Sequence, residues 1–392
     1  MFNRTLGRVG DYRRGITIGI ILLLAIAVTT HHMGSAPPGL SPAEAASKAQ
    51  SASLRYIIDH PLDAPHKLVM FAAQKISPRR IGVLRLSSYI YALVFSAAFY
   101  YLARGWFGKT VGLLGSLVYC LSPFILVPAR VASAEIMLAW PIGLMAAYYW
   151  FDKTDKKTLG WMTLILVAGL AIYSPGLIWW IAGAAILCRK KLLAFINQLP
   201  RPLAGAGLGL LLILLIPAGL AVFRDWHFLE SLAALPSHWP APLRLAKNLV
   251  WMILSLAVKT PHHAQLMIGR LPLLDLIQLG LLVFGIYAMW TAAKAKTIAF
   301  GLSVLLAVVL AAINDNIMFL LLGLPAIGIL MAAGLRYLYI EWRSVFPRNP
   351  IPKSLAVALM SVLVGIQLAY GLSYSLIAWP HSPDTKAVYV LK

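Results

Sequence analysis

The chain has 392 residues, of which 60% are hydrophobic and 12% charged, and its mean hydropathy is +0.79. Soluble domains carry about 25% charged residues, so this composition excludes an ordinary water-soluble protein. The longer apolar runs reach about 18 residues and are continuous rather than alternating, which favours spanning helices over a β-barrel. We therefore predict an all-α integral membrane protein with many transmembrane helices.

The net charge of +21 comes from 34 basic and 13 acidic residues. Because the basic residues are scattered between apolar runs, they fit loops that face anionic lipid, and we predict no nucleic-acid partner. Cys120 and Cys188 both lie in apolar runs. Neither a disulfide framework nor a thiolate metal site is therefore expected.

The predicted topology begins with an uncleaved first helix, because no Ala-x-Ala cleavage site follows the apolar run that starts at Ile16. The arm before it, with Arg4, Arg8, Arg13 and Arg14, predicts a cytoplasmic amino terminus. Eleven spans are expected, the fifth and sixth forming one hairpin. In chain order the spans cover about 16–33, 81–103, 110–127, 133–151, 158–188 (the hairpin), 203–223, 272–292, 297–313, 317–335 and 354–379. This count places the carboxyl terminus on the extracytoplasmic side.

Two long segments, 34–80 and 224–271, are predicted on the outer side. The first holds two expected surface helices, about 42–58 and 64–76, and the second holds an apolar piece at 249–258 that is too short to span. All nine histidines and nine of the thirteen acids fall on this predicted side. Titratable chemistry is therefore expected to concentrate on one face of the membrane.

Four stretches follow one another in a recognisable order. They are Pro37–Ala45 (Pro-Pro-Gly-Leu-Ser-Pro-Ala-Glu-Ala), Ile81–Leu86, Ala129–Glu135 and Asn314–Pro325. In this order and on these sides, they resemble the polytopic GT-C class glycosyltransferases of the protein-mannosyltransferase and aminoarabinose-transferase kinds. The resemblance covers 16–190 as a GT-C-like core with the outer loop 34–80, and 191–392 in outline as further spans with the outer loop 224–271. We treat residues 1–392 as a single polytopic domain.

The resemblance implies an enzyme of the cell envelope that moves a hexose or pentose from a polyprenyl-phosphate donor. The acceptor would be a glycan, lipid or protein on the extracytoplasmic face, and the reaction would invert the anomeric carbon. We expect no cofactor, and the sequence leaves the question of a divalent metal open. Glu44 would be the base or the acceptor-binding acid, and Glu135 would orient the acceptor. One departure is that Ala43 stands where the family has an aspartate.

The two candidate catalytic acids also have simpler interpretations. Ser41-Pro42-Ala43-Glu44 is a Ser-x-x-Glu capping box with proline at the first helical position, so helix capping explains Glu44 equally well. Glu135 equally fits a helix-end charge at the start of the fourth span. Arg130 is five residues from Glu135, about 140° around an ideal helix, so the two meet only if Arg130 lies in the preceding turn.

Further candidates for substrate binding are polar residues of the predicted outer side: Arg130, Arg79, Arg80, His66, Lys67, Asp59 and Asp315. The cations would stabilise the lipid phosphate as the glycosidic bond breaks, although attraction to headgroups explains them as well. Asp59, His60, Asp63 and His66 would offer metal ligands, but they lack an i,i+4 histidine pair, and we assign no metal. Asp315 equally fits a cap for the tenth span.

Two other classes of function stay open. A lipid or glycolipid transporter would place charged residues in the middle of spans and show related halves, and the sequence has neither feature. A non-catalytic scaffold or lipid-binding protein with the GT-C fold is favoured by Ala43. Restoration of an aspartate at that position would distinguish the scaffold from the enzyme.

Overall fold

The computed structural model describes residues 23–345 and 350–391, and these are almost entirely helical. The elements, in chain order, are residues 23–30 (α1), Pro42–Gln50 (α2), Leu54–Asp59 (α3), Ala64–Ile76 (α4), Ile81–Phe107 (α5), Lys109–Cys120 (α6), Pro123–Ala129 (α7), the 3-10 helix Ala134–Ala139, Trp140–Lys153 (α8), Lys157–Ala171 (α9), Leu177–Gln198 (α10), Arg201–Arg224 (α11), His227–Leu232 (α12), Pro242–Ala257 (α13), Leu276–Asn314 (α14), the 3-10 helix Ile317–Leu322, Leu324–Val345 (α15), Pro350–Ser373 (α16), the π-helical turn Tyr374–Ala378, Trp379–His381 (α17) and Pro383–Val388 (α18). The predicted basic arm with Arg4, Arg8, Arg13 and Arg14, and the start of the first span at Ile16, lie outside the described residues.

Five of the described helices are long and apolar enough to cross a membrane: Ile81–Phe107, Arg201–Arg224, Leu276–Asn314, Leu324–Trp342 and Val357–His381. The bent pair α6 and α7, with 65° between the two helices, makes a possible sixth. The all-α membrane class is confirmed, while the count of eleven spans stays a prediction.

Some predicted spans are not found as separate helices long enough to cross a membrane. Helices α8 and α9 have 14 and 15 residues, and at 1.5 Å per residue each covers only about 22 Å of a ~30 Å core. The predicted spans 272–292 and 297–313 belong to the single element α14, in which Ala293 leaves helical geometry at φ −154° and ψ 60°. The kink falls between the two predicted spans.

Helices α14 and α15 pack backbone to backbone through glycines. A Cβ at Gly285 would lie 1.8 Å from the carbonyl oxygen of Leu330, and a Cβ at Gly334 would lie 2.0 Å from that of Leu281. Small residues permit this approach between membrane helices, where dispersion contacts replace the hydrophobic effect as the driving force. The contact makes α15 the buried centre of the bundle.

The first predicted outer segment folds against the bundle. Its second expected helix, 64–76, is found at the same bounds as α4, while the first is split into α2 and α3 because Ser53 caps a new helix. An isolated backbone bridge joins Leu40 to Leu391, close to the carboxyl end. Gly39 permits this bridge, since a Cβ there would lie 2.4 Å from the carbonyl oxygen of Tyr389. We call this end of the bundle, with Glu44 and Glu135, the site end.

Candidate active site

Glu44 lies at the first turn of α2 and is completely buried. Its Oε2 accepts from the backbone N–H of Ser41 at 2.9 Å, and its own N–H donates to the Ser41 hydroxyl at 3.2 Å, which completes the capping box. Its Oε1 accepts from the backbone N–H of Ala132 at 2.7 Å. One carboxylate therefore ties helix α2 to the distant segment that leads to Glu135.

Arg85, on α5, is the counter-ion of Glu44 and is equally buried. Its Nε donates to Glu44 Oε1 at 2.8 Å, and its Nη2 donates to Oε2 at 3.2 Å. The remaining N–H groups donate to the carbonyls of Met33, Pro37 and Gly39 at 2.7–3.0 Å. All five N–H donors of the guanidinium are used, so this cation has nothing left to offer a ligand.

These contacts bear on the predicted catalytic role of Glu44. A carboxylate has about four lone-pair positions, and here four hydrogen bonds occupy them in a site closed to solvent. The geometry favours the capping interpretation, extended to a buried anchor. The catalytic role of Glu44 stays a prediction, and the structure lends it no support because Glu44 has no free lone pair.

Glu135 is in a different state. It lies at the start of the 3-10 helix Ala134–Ala139, is half-buried, and its Oε2 has no hydrogen-bond partner within the described part of the chain. Burial raises the pKa of Glu135, and the negative charge of Glu44 adds to the rise. The two acids therefore lie in one electrostatic neighbourhood, although only Glu135 has an oxygen free for a ligand.

Asp63 and Lys67 lie one helical turn apart at the start of α4, and the charge of Glu135 acts on the Asp63 carboxyl. Asp63 has a left-handed backbone (φ 55°), and its N–H donates to the carbonyl of Tyr173 at 2.8 Å. Burial raises the pKa of the Asp63 carboxyl to about 7, with Lys67 opposing the rise and Glu135 adding to it. Burial also lowers the pKa of the Lys67 ammonium, whose Nζ donates to the carbonyl of His60 at 3.0 Å.

Asp63 was not singled out from the sequence as a catalytic candidate. The available signal was its i,i+4 spacing to Lys67 at the start of a helix, because residues four apart share one helical face. Its nearness to Glu135, 72 residues further along the chain, has no sequence signal. That nearness comes from the packing of α4 against α5 and the 3-10 helix that carries Glu135.

His66 is fully buried and bridges three parts of the site end. Its Nε2 lies 2.9 Å from the Ser88 hydroxyl and 3.3 Å from that of Ser87, and Ser88 donates to the carbonyl of Ser133 at 2.9 Å. Burial lowers the pKa of His66 to about 4, with Lys67 contributing, so the ring is neutral at physiological pH. In the described residues no three His, Cys, Asp or Glu side chains form a metal-ligand group.

The other predicted ligands are spread over the site end. Arg130 is buried and donates to the carbonyls of Thr29 and His31, so it holds the end of α1. Arg79 and Arg80 are exposed in the turn between α4 and α5. The contacts place none of these three arginines against Glu135, and their role in binding stays a prediction.

The two predicted aspartate ligands form surface ion pairs. Asp59 pairs with Arg224, and Asp315 pairs with Arg244 at 3.0 Å. Asp315 ends α14 in a left-handed conformation, whereas the side chain of Asn316 accepts from the Met318 N–H and caps the helix that follows. The expected cap for the tenth span is therefore Asn316 and not Asp315.

A cavity of about 830 Å³ has both polar and apolar atoms in its walls, and Asp63, Lys67 and Glu135 are not among its lining residues. Its wall combines the second predicted outer segment with the turn after α14, and includes His227, Glu230, His238, Trp239, Arg244, Asn314 and Asp315. Pro175 also lines it, two residues from the Tyr173 carbonyl that holds Asp63. The cavity is large enough for a sugar and part of an acceptor.

Comparison with known proteins places this geometry in a known architecture. Residues 59–220 match the family model described as dolichyl-phosphate-mannose-protein mannosyltransferase. The crystal structure of ArnT from Cupriavidus metallidurans in the apo state is similar with a TM-score of 0.60 at 17% sequence identity, over 96% of this chain and 78% of that one. The structure of ArnT from the same organism bound to undecaprenyl phosphate gives 0.55 at 16%, over 95% and 74%. No curated protein matches the sequence.

These matches confirm the GT-C fold that the four motifs predicted. The family model begins at residue 59, after Glu44 and Ala43 and before Asp63 and Lys67. It therefore includes α4, α5 and the segment that carries Glu135.

Proposed function

We propose that this chain is a GT-C membrane glycosyltransferase that transfers a sugar from a polyprenyl phosphate to an acceptor at the site end. The observation that carries the proposal is the group of Asp63, Lys67 and Glu135, in which two acids of raised pKa lie near a buried lysine. The cavity of about 830 Å³, which is lined by Pro175 two residues after the Tyr173 carbonyl that accepts from the Asp63 N–H, has room for the reacting sugar. The shared fold with an ArnT that was crystallised with undecaprenyl phosphate supports the donor class.

Displacement at the anomeric carbon makes two demands on the protein. A carboxylate must take the proton from the attacking hydroxyl or amine while the new bond to carbon forms. A cation must stabilise the phosphate oxygen that keeps the electron pair of the broken bond. In the proposal Asp63, with a pKa of about 7, takes the proton, and Lys67 receives the phosphate. Glu135 orients the acceptor through its unpartnered Oε2.

Glu44 then acts as a positioning residue. Its hydrogen bond from Ala132 fixes the backbone three residues before Glu135, and its ion pair with Arg85 fixes that anchor to α5. In this assignment Glu44 supports the backbone before Glu135 and has no oxygen left to bind a substrate.

The experiment that tests the function has two parts. Cells that lack the protein should accumulate a polyprenyl-phosphate sugar, which lipid extraction and mass spectrometry would identify. That sugar is then supplied to the purified protein and to the variants Asp63→Asn and Glu135→Gln. Asp384→Asn is the matched control, because Asp384 is about half exposed and pairs with His262 away from the group. If the double variant Asp63→Asn with Glu135→Gln transfers the sugar as fast as the wild type, the proposed mechanism is wrong.

We also propose that the site end faces the extracytoplasmic side, as does the carboxyl terminus. The support is the basic cluster Arg189-Lys190-Lys191 on α10. Helix α10 begins near the site at Leu177, and the cluster lies about three helical turns after that residue. A cysteine introduced at the exposed Ala52 should react with a membrane-impermeant maleimide in intact cells. One introduced at Lys190 should react only after lysis, and the reverse pattern would contradict the orientation.

A second function is favoured by one observation. With Ala43 in place of an aspartate and the Glu44 oxygens fully hydrogen-bonded, the first outer motif offers no free acid to a substrate. The chain would then bind the lipid donor without transferring its sugar. Binding of polyprenyl phosphate without turnover by the wild type, together with turnover by Ala43→Asp, would favour this alternative.

A further inference from the structure

A second binding region lies away from the site end, among α8, α10 and α14. Two cavities meet there, one of about 390 Å³ and one of about 830 Å³. Both are lined by the same six residues: Met145, Ile186, Leu187, Cys188, Ala299 and Phe300. Because these residues line both cavities, the two adjoin each other, and we call them together the groove.

The two ends of this groove differ in chemistry. The smaller cavity is lined almost wholly by apolar atoms, and a hydrogen bond of 2.9 Å from Trp180 Nε1 to Ser303 Oγ links α10 to α14 beside it. The larger cavity opens among five cations: Lys153, Arg189, Lys190, Lys191 and Lys296. Among the described residues, Asp152 is the one acid on that wall, and Lys153 lies 3.5 Å from it.

The cations lie far from the candidate active site. Helix α8 begins directly after the 3-10 helix that carries Glu135 and ends at Lys153, so its 14 residues separate the two by about 20 Å. Arg189 lies on α10 twelve residues after Leu177, which gives about 18 Å. We call this end of the bundle the basic end.

We propose that the groove binds an anionic diacyl phospholipid, with its acyl chains in the apolar cavity and its headgroup phosphate among the cations of the basic end. A basic pocket between membrane helices suits a lipid phosphate, and each Lys or Arg near the surface strengthens the attraction. Ile186 and Leu187 are 68% and 57% exposed on the groove wall, and acyl chains would cover them. The proposal is independent of the transfer reaction, because no residue of the Asp63 group lines the groove.

Native mass spectrometry of the full chain tests the headgroup contact. The detergent-purified protein is titrated separately with phosphatidylglycerol, phosphatidylcholine and undecaprenyl phosphate. We expect retention of phosphatidylglycerol at least tenfold above phosphatidylcholine. The triple variant Arg189→Gln, Lys190→Gln and Lys191→Gln should weaken phosphatidylglycerol binding about 100-fold if each cation contributes as surface cations commonly do. The control removes three exposed cations of the second predicted outer segment, Lys247→Gln, Lys259→Gln and Arg270→Gln, and should leave that binding unchanged.

A second variant tests the acyl-chain cavity without disturbing the fold. Gly183 lines the apolar cavity, and a Cβ there would meet no atom within 4 Å, so Gly183→Leu adds a side chain at the cavity from an unobstructed Cβ. Gly219→Leu, on α11 with equally open surroundings, is its matched control. Gly183→Leu should lower phosphatidylglycerol retention at least fivefold, while the control retains it. Equal retention of the two phospholipids, an unaffected triple variant, or displacement of phosphatidylglycerol by equimolar undecaprenyl phosphate would each overturn the proposal.

Discussion

Arg85 and Glu44 are 2.8 Å apart between Nε and Oε1, and neither side chain has any exposed surface. They are separated by 41 residues and join α5 to the first turn of α2. Since the pair also holds the backbones of Gly39 and Ala132, it organises the site end from within.

The first prediction concerns this ion pair. Glu44→Ala should lower the free energy of unfolding by about 3–5 kcal/mol, because it leaves the buried guanidinium of Arg85 without a counter-ion. The measurement is the thermal unfolding midpoint in detergent, with Asp384→Ala as the exposed control, whose change should stay within about 0.5 kcal/mol. The double variant Glu44→Leu with Arg85→Leu should not recover the wild-type midpoint, because the carbonyls of Met33, Pro37 and Gly39 would lose their donors. A wild-type midpoint for Glu44→Ala would show that the pair is no anchor.

The sequence was sufficient for the local part of this arrangement. The spacing Ser41-x-x-Glu44 predicted a capping box, and the structure has one. The second surface helix was expected at about 64–76, and α4 has these bounds. Such features depend on residues within one or two helical turns, and a sequence displays those directly.

What the sequence did not disclose depends on long-range packing. In the sequence Arg85 is one residue of the stretch Ile81–Leu86, and nothing local marks it as the partner of Glu44. The sequence allows Asp63 a place among possible metal ligands or in the lining of the site, whereas its environment comes from Glu135 and the Tyr173 carbonyl, both far along the chain. Charged residues gain their function here from neighbours that only the folded bundle supplies.

The second prediction concerns the pH dependence of transfer. If Asp63 is the base, it must be deprotonated, so the rate should rise with pH and level off above the raised pKa of about 7. Asp63→Asn should lower kcat by about 10²–10⁴-fold, the usual contribution of a general base, and remove this rise. Steady-state rates between pH 5 and 9 provide the measurement. Loss of rate in Asp63→Asn with the pH profile unchanged would assign Asp63 a structural role instead.

The third prediction concerns stability and pH. Asp63 has a pKa raised to about 7, so the folded chain holds its proton more tightly than the unfolded chain, and this group makes stability fall as pH rises from about 4 to 7. His66 has a pKa lowered to about 4, so the unfolded chain binds its proton more tightly, and stability rises with pH between about 4 and 6.5. In the wild type these opposite slopes should largely cancel.

Single variants separate the two slopes. Asp63→Asn should give an unfolding midpoint that rises with pH over that window, and His66→Gln one that falls. Unfolding scans of the three proteins at pH 4.5, 5.5 and 6.5 provide the comparison. Parallel pH profiles for both variants and the wild type would mean that folding changes the pKa of neither group.

The last prediction concerns the contact between α14 and α15. Gly285→Ala places a methyl group where the carbonyl oxygen of Leu330 lies, 1.8 Å from the ideal Cβ position, so the two backbones must separate. Overpacking of this kind costs about 1–3 kcal/mol, and backbone atoms on both sides leave no flexible side chain to yield. Gly280→Ala, on the same helix with no atom within 4 Å of its Cβ, is the matched control and should stabilise slightly through higher helix propensity. The midpoints of thermal unfolding in detergent provide the comparison, and we expect a lower midpoint for Gly285→Ala than for Gly280→Ala. Equal midpoints would show that α14 and α15 are not in backbone contact.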